Sequence, residues 1–280
     1  LGHHSSGKTT LAETMLFESG KISKRGSVEN GATISDYTFI EKDKEYSVFT
    51  SLMNIAWRGN KINLVDTPGS DDFIGEILSA LKVTDTALLL LNASAGVEVG
   101  TEVLWDTIQE EETPTILVIN QLDHPKASYD NTLAQAQEHF GSGVLPIQFP
   151  VNEGEGFNTI IDALRMKMYV FSEGGGKPQK MEIPDEYMDR ANAMHNAIVE
   201  AAAENDEELM ELYFEKGSLS EEELTLGLRM ALTNQQILPV FCVSALKNMG
   251  SGRVMGFIND IASGPQGMRD IDGNMIECDV

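Results

Sequence analysis

The residues best suited to chemistry stand at the start of the chain. Gly2-His3-His4-Ser5-Ser6-Gly7-Lys8-Thr9 fits the pattern G-x-x-x-x-G-K-[ST]. Each residue type has a task in holding phosphate. The glycines let backbone N–H groups close around the oxygens, and Lys8 can reach the outer phosphates. The Thr9 hydroxyl can ligate Mg²⁺. A helix beginning near Lys8 would aim its positive end at the same anion. A flexible Gly/Ser-rich terminus would use similar residues. The complete pattern, followed at once by Thr10 and the apolar Leu11, Leu16 and Phe17, favours the phosphate loop.

Three further motifs follow in order. Asp66-Thr67-Pro68-Gly69 closes an apolar run. An Asp there can hold Mg²⁺ through a water, and the Gly69 N–H can sense a terminal phosphate. Asn120-Gln121-Leu122-Asp123 follows a second apolar run. The Asp123 carboxylate can accept from the two adjacent N–H groups on the edge of guanine. Adenine lacks that pair, so such a site rejects it strongly. Asn120 would brace the neighbouring loop, and the stem of Gln121 would pack beside the base. Ser244-Ala245-Leu246 then offers a backbone N–H to the guanine carbonyl. GTP or GDP with Mg²⁺ is the expected ligand, and an ATP-using enzyme is the distant alternative.

The elements that must position these residues are legible as short Val-, Ile- and Leu-rich runs at 61–65, 87–91, 115–119, 144–149 and 240–243. Helical stretches lie between them, at 9–19, 72–82, 101–111, 129–140 and 255–262. The alternation predicts a doubly wound, mostly parallel sheet with helices on both faces. In such sheets ligands bind beyond the carboxyl ends of the strands, where these motifs fall. The stretch 156–227 differs. It carries a glycine-rich loop at 172–180, helical stretches at 185–204 and 206–216, and Ser220 with Glu223 in capping-box spacing. It reads as an α+β insertion into a nucleotide-binding unit made of 1–155 and 228–262. Residues 263–280 read as a linker toward a further domain. The start at Leu1, inside a motif, predicts a fragment whose first strand is largely missing.

The 280 residues carry a net charge of −24 and are 41% hydrophobic. That composition predicts a globular chain and argues against a broad basic face for nucleic acid such as DNA. It suits contact with basic proteins. Two cysteines, Cys242 and Cys278, are too few for a disulfide framework or zinc site. With no apolar run long enough for a membrane span and no signal peptide, a cytoplasmic monomer is expected.

With the motifs assigned, the chain resembles the G domain of a translational GTPase, most closely elongation factor G. The resemblance covers nearly the whole chain. It includes Pro146-Ile147-Gln148, Arg165-Met166-Lys167, Asp206-Glu207-Glu208-Leu209-Met210 and the run Pro239 to Asn248. It implies a ribosome-binding factor. Its G domain would face the sarcin-ricin loop of the large subunit, and its insertion would meet the stalk protein. Ribosome-protection proteins share these motifs and stay open as an alternative.

Three positions depart from that family's pattern. Ser70 occupies the place of the catalytic His in D-T-P-G-H, and serine is too short to orient the attacking water in the same way. Gln121 replaces a lysine. Tyr46-Ser47-Val48-Phe49-Thr50 stands where the family has R-G-I-T-I. Phe49 cannot ligate a metal, and Thr50, one position later, is the candidate ligand. The catalytic set is therefore expected at Asp66, Gly69 and Ser70, with weak hydrolysis.

Overall fold

The structure is a computed structural model, and it describes residues 1–265. The region 266–280, with Cys278 and most of the expected linker, lies outside the described residues. The phosphate loop leads into α1 (Lys8–Glu18). A long segment follows, carrying α2 (Phe39–Lys44), which Thr38 and Glu41 cap reciprocally. β1 (Ser51–Trp57) and β2 (Asn60–Asp66) form an antiparallel hairpin. Arg58 and Gly59 turn it with φ of 47° and 91°, as a two-residue type I′ turn requires. A 3-10 turn at Asp71–Phe73 precedes α3 (Ile74–Leu81). Then β3 (Ala87–Asn92), α4 (Val99–Glu110), β4 (Thr115–Asn120), α5 (Tyr129–Phe140) and β5 (Val144–Pro146) alternate.

A second layer follows. β6 (Gln148–Pro150), β7 (Thr159–Asp162), β8 (Lys167–Val170) and β9 (Gln179–Met181) pair antiparallel in that order. Helices α6 (Asp185–Ala203), α7 (Glu207–Lys216) and α8 (Glu221–Thr233) come next. The Ser220–Glu223 capping box is formed, and Asp206 caps α7. β10 (Leu238–Cys242) then returns to the first sheet, and α9 (Ser251–Ile261) ends the described fold.

The central sheet has the order β3-β4-β10-β5, all parallel. Alternate residues face opposite sides of it. Leu89, Leu117 and Val240 point into a core with Leu104 and Ile108 of α4 and Phe140 of α5. Leu90, Val118 and Phe241 point into another with Leu11 and Met15 of α1 and Phe257 of α9. Both faces are covered, as strands of nearly unbroken Leu, Ile and Val demand. The doubly wound sheet with helices on both faces is thus present, together with an α+β second layer.

Several expectations need correction. The run 61–65 is a strand, but β2 pairs with β1 and is not a rung of the parallel sheet. β1 escaped the sequence reading because Leu52, on its outward face, is 74% exposed. The alternation of apolar and polar residues is therefore masked. The run 144–149 is two strands. The chain breaks step at Ile147, whose N–H donates to Val240 O. β5 then belongs to the central sheet and β6 to the antiparallel one. That antiparallel sheet begins at Gln148, upstream of residue 156, and α8 runs through residue 227 without interruption. The last helix starts at Ser251, earlier than the expected 255.

Candidate functional site

The phosphate loop joins Gly2, beside Leu90 of β3, to the N-terminus of α1, which also carries Thr10. Its tight path uses positive φ at Ser5 (62°) and Gly7 (88°). A side chain on Gly7 would collide with the Asn120 amide. Lys8 Nζ donates to His3 O at 3.1 Å, folding the loop over itself. Burial lowers the Lys8 pKa to about 8, against the opposing pull of Asp66 and Asp36. A buried ammonium beside two carboxylates, at a helix N-terminus, suits a polyanion.

The second wall comes from the end of β2. Thr9 Oγ1 donates to Asp66 Oδ2 at 2.8 Å. Gly69 packs against the loop so closely that a Cβ there would overlap Lys8 Nζ. The first-switch expectation is corrected here. Thr50 faces away from Thr9. Its N–H donates to Glu76 Oε2 at 2.7 Å, and its hydroxyl donates to Glu76 O at 3.4 Å. Phe49 is partly exposed. Ser47 takes the inner position: its Oγ lies 3.1 Å from Thr9 Oγ1 and donates to Asp36 Oδ1 at 2.7 Å. The signal was available, because Ser47 is a hydroxyl residue within the same five-residue stretch.

Asp66, Thr9, Ser47 and Asp36 are thus joined in one chain of hydrogen-bonded oxygens. Asp36 Oδ2 is buried with no hydrogen-bond partner, and burial raises the Asp36 pKa despite the Ser47 hydrogen bond. An orphaned carboxylate oxygen next to a chain of hydroxyl and carboxylate oxygens fits Mg²⁺, a hard ion taking oxygen ligands. Among the described residues no cluster of three or more His, Cys, Asp or Glu side chains has metal-holding geometry. The remaining ligands for such an ion would be phosphate oxygens and water.

The base-reading loops converge on the same end of the sheet. Asn120, at the tip of β4, is 1% exposed. Its Nδ2 donates to Ser6 O at 2.8 Å, and its Oδ1 accepts from Ala245 N at 3.0 Å. Gln121, at φ 63°, donates to Ser5 O at 2.7 Å. Ser244 Oγ donates to Asp123 Oδ1 at 2.6 Å and accepts from Lys247 N. That aims the Asp123 carboxylate and leaves its other oxygen for a ligand. Leu246 is exposed at the rim. Arg25, which the sequence reading missed, donates to the carbonyls of Ala245 and Leu246 at 3.0 Å each. No local motif marks that arginine.

Ser70 caps the short 3-10 turn, and its hydroxyl donates to Asp72 Oδ2 at 3.4 Å. It lines a cavity of about 330 Å³ with His3, His4, Tyr46, Gly69 and Asp71. The rings of His4 and Tyr46 meet edge-on across it, 6.0 Å between centroids. His3 Nε2 lies 3.6 Å from Glu98 Oε1, and its Nδ1 is buried without a partner.

A phosphate loop on α1, a carboxylate and glycine at the end of β2, and two loops shaped for a purine define a P-loop GTP-binding domain with an added layer. The chain belongs to the elongation factor Tu GTP binding domain family, which matches residues 1–263. It is also similar to a Thermus thermophilus protein known by crystal structure. The two share 33% identity and superpose with a TM-score of 0.87, over 94% of this chain and 39% of that one. The chain thus spans less than half the length of that relative. No helix among the described residues is long and apolar enough to cross a membrane.

Proposed function

We propose that this chain is the nucleotide-switching part of an elongation factor G-like protein that acts on the ribosome in the cytoplasm, and that it hydrolyses GTP slowly. The observation that carries this reading is the Asn120 amide, which bonds the phosphate loop and the Ser244–Ala245 loop at once. Base and phosphates are thereby gripped by one cradle. Lys8 neutralises the outer phosphates, and the Asp123 carboxylate reads the guanine edge. Thr9 and Ser47 would hold Mg²⁺ directly and Asp66 through a water; the ion neutralises charge on the phosphates. The layer from β6 to α8, which contains the 156–227 insertion, is the surface offered to the stalk protein, and the switch face the surface offered to the sarcin-ricin loop. A ribosome-protection paralogue remains the alternative within this class.

Slow hydrolysis follows from Ser70. In hydrolysis a water oxygen bonds to the γ-phosphorus as the bond to the β-phosphate oxygen breaks. The water proton ends on the released phosphate. A positioned acid or base is worth on the order of 10²–10⁴-fold in such a step, and Ser70, bonded to Asp72, supplies none. Single-turnover hydrolysis by the full-length protein, with and without ribosomes, tests this. A slow native rate that Ser70→His raises by about 100-fold supports the reading. A brisk native rate that Ser70→His leaves unchanged sinks it. Phosphate release no higher than with ribosomes alone leaves a nucleotide-gated binding module.

A second reading rests on the cavity beside Ser70. Its wall carries two imidazoles, those of His3 and His4. Here the phosphate loop itself supplies the water-orienting imidazole. It predicts a brisk rate that His4→Ala lowers by about 100-fold with GDP affinity kept. An unchanged rate in His4→Ala removes it.

A further inference from the structure

A second cavity of about 600 Å³ lies between β1, α9 and the antiparallel sheet. Glu18, at the far end of α1, is on its wall. Its distance from Lys8 along the helix axis is about 15 Å, so it is separate from the phosphate loop. Its apolar lining comes from Trp57, Ile160, Tyr169 and Phe171. Its cations are Arg58, Arg165, Lys177, Lys180 and Arg253. Five cations around one cleft run against a chain of net charge −24.

The acids around it do not cancel them. Arg253 Nε donates to the buried Asp162 at 2.6 Å, Arg58 pairs with Asp260 at 3.1 Å, and Arg165 pairs with Asp260 and Glu221. With Glu18, that is four carboxylates against five cations. Lys177 and Lys180 have no ion-pair partner among the described residues and are exposed at the mouth. Inside, two donors are unsatisfied. Trp57 Nε1 and Arg253 Nη2 are both buried with no hydrogen-bond partner, and the Arg253 side chain is only 13% exposed. Buried donors are rarely left so; both belong to residues on the cleft wall, and a small turn of either side chain would bring its nitrogen to an acceptor inside.

We propose that this cleft is a second ligand site, for a small molecule that joins a flat, acceptor-bearing ring to an anionic group. That is the chemistry of a nucleotide held outside the phosphate loop. The ring packs among Trp57, Tyr169 and Phe171, and it accepts from Trp57 Nε1 and Arg253 Nη2 once those side chains turn toward it. The anionic group meets Lys177 and Lys180. The volume lies within the range of small-molecule sites. Because β1, α9 and the antiparallel sheet meet here, an occupant would bind the second layer to the nucleotide domain.

The test uses the full-length protein with excess GDP, so that the base-reading site is filled and an adenine ligand is refused there. ADP is the probe, titrated by calorimetry beside adenosine and inorganic pyrophosphate. The proposal expects saturable ADP binding that more GDP does not displace, and binding at least tenfold weaker for adenosine and for pyrophosphate. Trp57→Phe keeps the ring and removes one donor, and should weaken ADP about threefold to tenfold. Lys177→Glu with Lys180→Glu, both at exposed positions, should weaken it tenfold or more. ADP binding that is absent at millimolar concentration, displaced by GDP, matched by adenosine, or insensitive to both sets of variants overturns the proposal.

Discussion

In the proposed function Asp123 and Lys8 divide the recognition of one ligand between them, and each can be tested alone. Ser244 fixes one Asp123 oxygen at 2.6 Å, so the carboxylate is aimed before any base arrives. Asp123→Asn puts an N–H where guanine also presents N–H groups. GDP affinity should fall by at least about 100-fold with the melting temperature of the free protein little changed, as titration and calorimetry would read. Lys8 gives a pH signature. Its free-protein pKa of about 8 is below the ordinary lysine value, and bound phosphates must raise it. Binding therefore takes up a proton at high pH. GDP affinity should be full below about pH 8 and fall as pH rises through it. Equal affinities at pH 7 and pH 9.5 would contradict this. These residues were legible in the sequence because each lies inside a short motif. Ser47 and Asp36 were not assigned, because the loop that carries them has no regular spacing. Only contact with Thr9 selects Ser47 over Thr50.

At the scale of elements, Glu41 of α2 holds the Val48–Phe49 part of the segment that leads to β1. Glu41 accepts from the N–H groups of Val48 and Phe49 at 3.1 Å each, and from Thr38. Burial alone would raise its pKa, but these hydrogen bonds outweigh burial and bring it below the ordinary 4.5. A carboxyl with a depressed folded pKa adds stability above its unfolded pKa and loses it as pH falls through the folded one. Amide exchange at Val48 and Phe49, corrected for intrinsic rate, should speed up as pH falls through the lowered Glu41 pKa. Glu41→Gln should show that loosening already at pH 7. Unchanged protection in both cases would assign the loop's order to other contacts. Helices were read more faithfully than strands. α5 carries apolar periodicity and α7 begins at the Asp206 cap, whereas β1 presents Leu52 to solvent and β6 follows β5 in sequence after the single residue Ile147. The division at Ile147 depends on which sheet supplies the hydrogen bonds, and local composition does not encode that.

At the scale of the whole molecule, a small polar cluster joins the two layers. Gln148 Nε2 donates to Asp162 Oδ2 at 3.0 Å, and its Oε1 accepts from Cys242 N at 3.3 Å. Asp162 also accepts from Arg253 Nε at 2.6 Å and from Arg165 N at 2.8 Å. Central sheet, antiparallel sheet and α9 therefore meet on one buried carboxylate. Asp162→Ala leaves the Arg253 charge without its partner, which costs about 3 kcal/mol or more. Urea unfolding followed by tryptophan fluorescence should report it. A loss under about 1 kcal/mol would mean that apolar packing alone holds the layers together.

By itself the sequence determined the order of the motifs: a phosphate loop at the start, then a carboxylate-glycine turn and two loops expected to read the base, these three each at the end of an apolar run. Those features are local, because a strand's apolar character and a loop's glycines act over a few residues. The tertiary structure decided what depends on distance. It put Ser47 rather than Thr50 beside Thr9, paired β2 with β1, and divided 144–149 between two sheets. It also gathered five cations from four separate stretches of an acidic chain around one cleft. Spacing along the chain carries no record of such meetings, since they arise only when hydrogen bonding and burial bring distant segments together.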